Sequence, residues 1–313
     1  MTPVHTRQLF GVMVLCVVAL PASHLLGYGY GELLNASIHH QPFTWETFTS
    51  TYLTQLHQLY TNGLIFPGTT MPFLATIIDA FVRSAGLFTS AALIAIVSGI
   101  WTANRVVRAN HATPLHWFEF LATIGTALPS LFFASGAIAG MYYVIVYTPY
   151  NLPIPLQGFG WDWHVLLPML ALSIRAWLGI AYACSESLRA EFAKPYITAV
   201  RAKGMPTSII LRNHVWPAQQ RAIGLHITGQ LRVMLAELII VEYLFRWQGI
   251  GQLFATSIMP PTQSNLAASA LYLSSPVIAA TICGFVLLFC CIEWIRQLWR
   301  PAHELHMEAQ EYA

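Results

Sequence analysis

Charge is what this sequence has least of. Of its 313 residues, 9% are Asp, Glu, Lys or Arg, against roughly 25% in an average soluble domain. That is too little polar surface for a chain free in water. Lysine is almost missing: Lys194 is followed by Pro195 and Lys203 by Gly204. A phosphate-binding loop needs Gly-Lys-Ser/Thr, so this chain does not bind ATP in that manner. There is no Gly-x-Ser-x-Gly, no His-Glu-x-x-His and no Cys-x-x-Cys. The five cysteines, Cys16, Cys184, Cys283, Cys290 and Cys291, lie in or at the ends of apolar blocks and read as small buried hydrophobes. Among the histidines, His24 and His226 lie inside apolar blocks without a partner at helical spacing. His39-His40 and His303-x-x-His306 lie outside them and read as solvated. No metal site and no bound cofactor is expected. The net charge of +2 supplies no basic field for nucleic acid.

What is abundant is apolar: 56% of the residues, in blocks long enough to cross a bilayer at roughly 20 residues each. Six spans are expected, near Leu9–Gly27, Ala85–Ala103, Trp117–Tyr147, Val165–Cys184, Ala222–Phe245 and Leu271–Trp299. The fold class is therefore all-α, a polytopic membrane protein with six transmembrane helices. Pro129 is expected to kink the third span, and Pro276 lies near the start of the sixth. Residues 1–84 make a first span plus a long outer segment, 85–300 a five-helix core and 301–313 a tail. The run Leu20-Pro-Ala-Ser23 has some likeness to a signal cleavage region, but the block is read as a span. In the outer segment, Trp45, Phe48, Tyr52, Leu56 and Leu59 predict a short amphipathic helix. Asn35-Ala-Ser37 matches a glycosylation sequon too common to carry weight.

Lys and Arg set the direction. Arg7, Arg105, Arg108, Arg189, Lys194, Arg201, Lys203, Arg212, Arg221, Arg296 and Arg300 fall on one side, and only Arg83 and Arg246 on the other. Both termini and the loops 104–116 and 185–221 are therefore expected to face the cytoplasm. Arg175, Arg232 and Glu237 fall inside spans. A charge at mid-bilayer costs about 2.5–3.5 kcal/mol on insertion scales, so these three are expected to point inward. They either line a pathway or pair between helices, Arg175 with Glu237 for example. Small residues over Ala134–Gly140 are expected to allow tight helix packing.

The most informative stretch is the basic loop 189–221. Pro195 suits a first helical turn, Gly204 a stop with positive φ, and Pro206 a restart. Two short helices are expected, the second with Ile209, Ile210, Val215 and Trp216 on its apolar side. Such a loop is either an interfacial segment attracted to anionic lipid or a docking knob for a cytoplasmic partner.

Here a resemblance becomes specific. Tyr196-Ile-Thr-Ala-Val-Arg-Ala-Lys-Gly204 resembles the EAA loop of ABC-importer permeases, in the form found in the dipeptide, oligopeptide and nickel branch. His214 and Pro217 follow at the expected distances. Leu167-Pro-Met-Leu-Ala-Leu172, Leu128-Pro-Ser-Leu-Phe132 and Val241-Glu-Tyr-Leu-Phe-Arg-Trp-Gln-Gly-Ile-Gly-Gln-Leu253 resemble the branch's other segments, in order, from about 85 to 300. Departures are Thr198 at the glutamate position, Val200 for a small residue, Gln248 for proline, and Trp299-Arg-Pro-Ala302 for the terminal Asp-Pro-Arg.

The resemblance implies a type I importer permease in a bacterial inner membrane. Its implied partners are a homologous second permease, two cytoplasmic ATP-binding subunits that use ATP and Mg, an extracytoplasmic solute-binding protein and membrane lipid. Di- or oligopeptides are the implied cargo. It assigns ATPase coupling to Tyr196, Ala199, Arg201, Ala202, Lys203, Gly204, His214 and Pro217. Gly204 would set the bend, Ala199 and Ala202 would permit close approach, and Arg201 and Lys203 would meet acidic groups of the ATPase. Glu242, Gly249 and Gly251 are assigned to an outer gate. The competing class, a self-sufficient channel or secondary transporter, needs inverted repeats or a chain of ionisable groups; neither is evident.

Overall fold

The computed structural model describes residues 3–38, 42–61, 63–109, 116–148, 154–259 and 271–297, and among them the chain is helical without a β-strand. Its helices are α1 (Pro3–Ile38), α2 (Trp45–Tyr60), α3 (Phe73–Ala109), α4 (His116–Ala127), α5 (Ser130–Tyr147), α6 (Leu166–Phe192), α7 (Pro195–Ala202), α8 (Thr207–Ile210), α9 (Trp216–Phe245), α10 (Ile250–Ile258) and α11 (Ser275–Gln297). Among the described residues five stretches are long and apolar enough to cross a membrane: Phe73–Ala109, Ser130–Tyr147, Trp163–Phe192, Thr207–Phe245 and Ser275–Gln297. The expected first span lies inside α1, which runs through Pro21. The tail 301–313, Trp299–Ala302 and the His39-His40 and His303/His306 pairs lie outside the described residues.

The third span departs most from expectation. It is not one kinked helix but two, α4 and α5, parted at Leu128-Pro129. Pro129 adopts an extended ψ of 153°, and a residue preceding proline is pushed out of the helical region. The crossing is left to the 18 residues of α5, the least covered of the five stretches. Gly136 and Gly140, expected to allow close packing, have nothing within 4 Å of where a Cβ would stand. This holds among the described residues, whereas Ala134 of the same run is buried in the main core.

Packing centres on α6, with α3 and α9 laid along it, while α1 lies along α11 as a second layer. The two layers meet where α9 and α10 touch α11. The main core joins Leu87, Ala91 and Ala95 of α3 to Leu172, Ala176 and Ile180 of α6 and Met234 and Leu238 of α9. In the outer segment α2 forms as its pattern predicted. Its Phe48 and Tyr52 rings lie 5.8 and 5.2 Å from Tyr28 of α1, and the Tyr52 hydroxyl meets His24 Nδ1 at 3.3 Å. Of the cysteines, Cys184 and Cys290 are buried, but Cys291 is exposed on α11, because consecutive helical residues turn to different faces. The Cys16 side chain lies outside the described residues.

Two glycines let α1 approach α11 backbone to backbone. A Cβ on Gly27 would stand 2.9 Å from Ala279 Cα, and one on Gly31 2.8 Å from Ser275 Cα. Backbone cannot move aside as a side-chain tip does. Gly31→Val should therefore cost about 1–3 kcal/mol, read as a lower thermal midpoint in detergent. Gly29→Val, which meets only the Phe48 ring edge at 3.7 Å, should cost markedly less.

Candidate functional site

The basic loop folds into an elbow. Pro195 occupies the first turn of α7, where its missing N–H is not needed. Past Ala202 the chain turns at Gly204 with φ +79°, a left-handed conformation that favours glycine. Pro206 then starts α8 by accepting from the Ile210 amide at 3.2 Å. The second helix is not separate, as expected, but the leading end of span five. After α8 comes a π-turn, Leu211–Val215, that runs directly into α9. Pro217 explains the turn: a proline ring collides with the carbonyl four residues back, and the one-residue widening of a π-turn relieves such crowding.

The elbow has a seated side and a bare side. Ile197, Ile210, Leu211 and Val215 are fully buried, which differs from the expected apolar side in that Ile209 faces out. Tyr196, Ala199, Arg201, Ala202, Lys203, Gly204 and Pro217 are all exposed, and His214 is half-buried. Arg201 and Lys203 form no ion pair among the described residues. So the backbone bend is anchored from behind, and two cations, Tyr196 and the small residues Ala199, Ala202 and Gly204 face away.

What anchors it is a residue that sequence reasoning did not single out. Glu191, at the end of α6, is 2% exposed. Its carboxylate accepts from the Tyr196 hydroxyl at 2.5 Å, from Gln219 Nε2 of α9, and from Lys194 Nζ at 2.7 Å. One buried carboxylate thus ties the end of span four, the start of α7 and the base of span five. Its hydrogen bond also pushes the Tyr196 hydroxyl up to about 12. The signal was available, since Glu191 is a lone acid three residues before Lys194 in a basic loop.

The three charges expected inside spans are paired. Arg175 of α6 is bonded to Glu237 of α9, and Arg232 of α9 to Glu293 of α11, which also holds Arg296. Glu293, overlooked as a deep charge, completes the second pair. The first pair does more than neutralise itself. Arg175 Nε donates to the Thr126 carbonyl at 3.0 Å, and Glu237 Oε1 accepts from the Ser130 amide at 3.4 Å. In an unbroken helix the Ser130 amide would donate to the Thr126 carbonyl. The break at Pro129 separates these two groups, and the ion pair takes one each.

At the other end of α9, Glu242 is fully buried. It accepts from the backbone amides of Gly251 (2.7 Å) and Gln252 (3.3 Å) in the first turn of α10. A Cβ on Gly249 would stand 2.5 Å from this carboxylate and one on Gly251 2.8 Å. The three assigned outer residues therefore form one unit, a carboxylate seated on a helix N-terminus. Nearby, Arg83 donates to Gln248 Oε1 at 2.6 Å and lies 4.1 Å over the Phe159 ring. Trp247 is buried between Phe159 and Trp161 at 4.9 and 5.5 Å.

With this geometry in place, comparison with known proteins is informative. The family model of binding-protein-dependent transport system inner membrane components matches residues 95–301. The chain is 24% identical over 197 residues to the dipeptide transport system permease protein of Lactococcus lactis, covering 63% of each. It is 24% identical over 189 residues to the metal-staphylopine import system permease protein of Staphylococcus aureus, covering 60% of this chain and 55% of that one. It is 27% identical over 187 residues to the oligopeptide transport system permease protein of Escherichia coli, covering 58% of each. The chain thus spans less than two thirds of the length of these relatives.

The bond pattern at the break gives a prediction that an ordinary ion pair would not. Glu237→Ala strands Arg175 and the Ser130 amide, and should cost about 3 kcal/mol. In the Arg175→Met/Glu237→Leu double variant the charges are gone but both backbone groups remain unmet. Stability, measured by thermal unfolding in detergent, should stay about 2 kcal/mol below the parent. Full recovery in the double variant would reduce the pair to simple charge compensation.

Proposed function

This chain belongs to the family of binding-protein-dependent transport system inner membrane components, and from that premise we propose that it is the permease subunit of an ATP-driven peptide importer. It is a multi-pass inner-membrane protein, with both termini on the cytoplasmic side in this reading. The spans and a homologous second permease enclose the pathway. A solute-binding protein delivers cargo outside, and ATP is hydrolysed, with Mg, by two cytoplasmic subunits. Di- or oligopeptides are the cargo that the names of the relatives favour. In this division residues 85–300 are the working core. Residues 1–84 flank it with the first span and the outer segment, and 301–313 form a cytoplasmic tail.

One observation carries the coupling role. The elbow presents Tyr196, Ala199, Arg201, Ala202, Lys203 and Gly204 outward while its rear is locked to span five. From Thr207 to Phe245 the helical path is uninterrupted. A push on the exposed face is then transmitted along the span rather than absorbed by a loose loop. His214 and Pro217 stand at the turn where push becomes helix movement. At the far end the unit of Glu242, Gly249 and Gly251 makes α10 follow α9, which suits an outer gate. Arg175 with Glu237, and Arg232 with Glu293, keep neighbouring spans in register while they move.

Gly204→Asp tests this directly. Among the described residues nothing lies within 4 Å of the position its Cβ would take, so the first side-chain atom meets no clash there. The positive φ adds local strain of about 1–2 kcal/mol. Membrane insertion should be unchanged, while uptake and transport-linked ATP hydrolysis should be abolished in reconstituted vesicles. Normal uptake by this variant would remove the elbow from the coupling path.

A further inference from the structure

An open groove of about 460 Å3 lies between the end of α3 and the junction of α8 with α9, apart from the exposed face of α7. Asn104 and Arg108 form one wall; Ser208, Ile209, Arg212 and Trp216 form the other. The Asn104 side chain is already used: its Oδ1 accepts from Trp216 Nε1 at 2.8 Å and its Nδ2 donates to the Ile100 carbonyl at 3.0 Å. The two arginines are not. Among the described residues Arg108 has no acidic partner and Arg212 meets only Asn213 Oδ1, through Nε at 3.3 Å. Two guanidinium groups from separate elements therefore flank a recess with the hydroxyl of Ser208 on its rim.

The height of the groove in the membrane follows from the face of α3 that leads to it. Leu93, Val97 and Trp101 are 64%, 66% and 59% exposed, each one turn after the last. Arg105, which lies 5.1 Å over the Trp101 ring, and Arg108 continue the same stripe. An apolar row ending in Trp and then Arg is the profile of a helix leaving hydrocarbon for the headgroup layer. Across the groove Ile209 is an exposed apolar residue beside Arg212, where the first carbons of an acyl chain would lie. Arginine also forks onto phosphate oxygens with two parallel hydrogen bonds.

We propose that this groove holds the phosphate of an anionic phospholipid between Arg108 and Arg212, with the Ser208 hydroxyl as a third donor. Bound there, the lipid bridges α3 to the segment that joins the elbow to span five. It braces the base of the lever named in the coupling role, and only this consequence rests on that role. A soluble acidic peptide fits less well, because it would have to lie against the apolar row above Arg105.

The test uses the full chain in its assembled transporter, in phosphatidylcholine nanodiscs carrying fluorescent phosphatidylglycerol as probe and no ATP. Arg108→Gln and Arg212→Gln should each weaken probe retention about fivefold, and the double variant about thirtyfold. Arg108→Lys/Arg212→Lys, which keeps the charge and loses the fork, should fall between the parent and the double Gln variant. Arg221→Gln, exposed at the same end but outside the groove, should match the parent. An equal loss with Arg221→Gln, or no loss in the double Gln variant, overturns the site. Displacement of the probe by inorganic phosphate alone overturns the lipid assignment. Gly204→Asp should retain the probe, so a failure of coupling and a failure of lipid binding are read apart.

Discussion

Arg175 and Glu237 hold each other across two spans, and each also takes a backbone group released where a third span breaks. In a bilayer core no water is at hand for an unpaired amide or carbonyl, and irregular backbone survives there only when protein or a wet cavity meets it. The break at Pro129 is therefore possible because α6 and α9 bring a donor and an acceptor to the two orphaned groups. The rest of the arrangement follows. The pair fixes the spacing of α6 and α9, which sets where their elbow-side ends stand, and Glu191 closes the elbow between those ends. Without the pair, α4 and α5 would have to choose between a straight helix that proline forbids and a break that lipid penalises.

The elbow and the outer unit share a design. Each is a buried carboxylate near one end of a long span that collects donors from the next segment: Glu191 from Tyr196, Gln219 and Lys194, Glu242 from the first amides of α10. A carboxylate with several donors gives a directional joint, stiffer than apolar packing, which tolerates sliding. Span five thus has a defined attachment at each end. In the proposed coupling role, force would enter through one of these joints and leave through the other.

Much of this was legible in the sequence, for identifiable reasons. Apolar length marks spans because lipid demands it, so α3 and α9 contain the expected blocks, α6 covers its block to within one residue, and α11 lies inside the sixth. Displacement came where polar residues extend a helix beyond the hydrocarbon, as at Asp79 and Arg83 in α3, an i,i+4 pair that favours the helix. Pro195, Gly204 and Pro206 carry their conformations in their own covalent structure, and the elbow bends where they stand. Less legible was anything that depends on which helices are neighbours. The partnership of Arg232 with Glu293 needs α9 beside α11, and Glu191 ties in span five only because Gln219 comes back to it. The burial of Glu242 could not be read from its place at the end of a span, because α10 folding over it creates that burial.

The π-turn at Leu211–Val215 also sets an angle. An α-helix advances about 100° and 1.5 Å per residue, so the single surplus residue there rotates everything ahead of it by about a quarter turn relative to α9. The compass bearing of α7 around the axis of span five is thus encoded in one residue's worth of winding. Two permeases with identical elbows but different winding at this point would offer them to their neighbours in different directions.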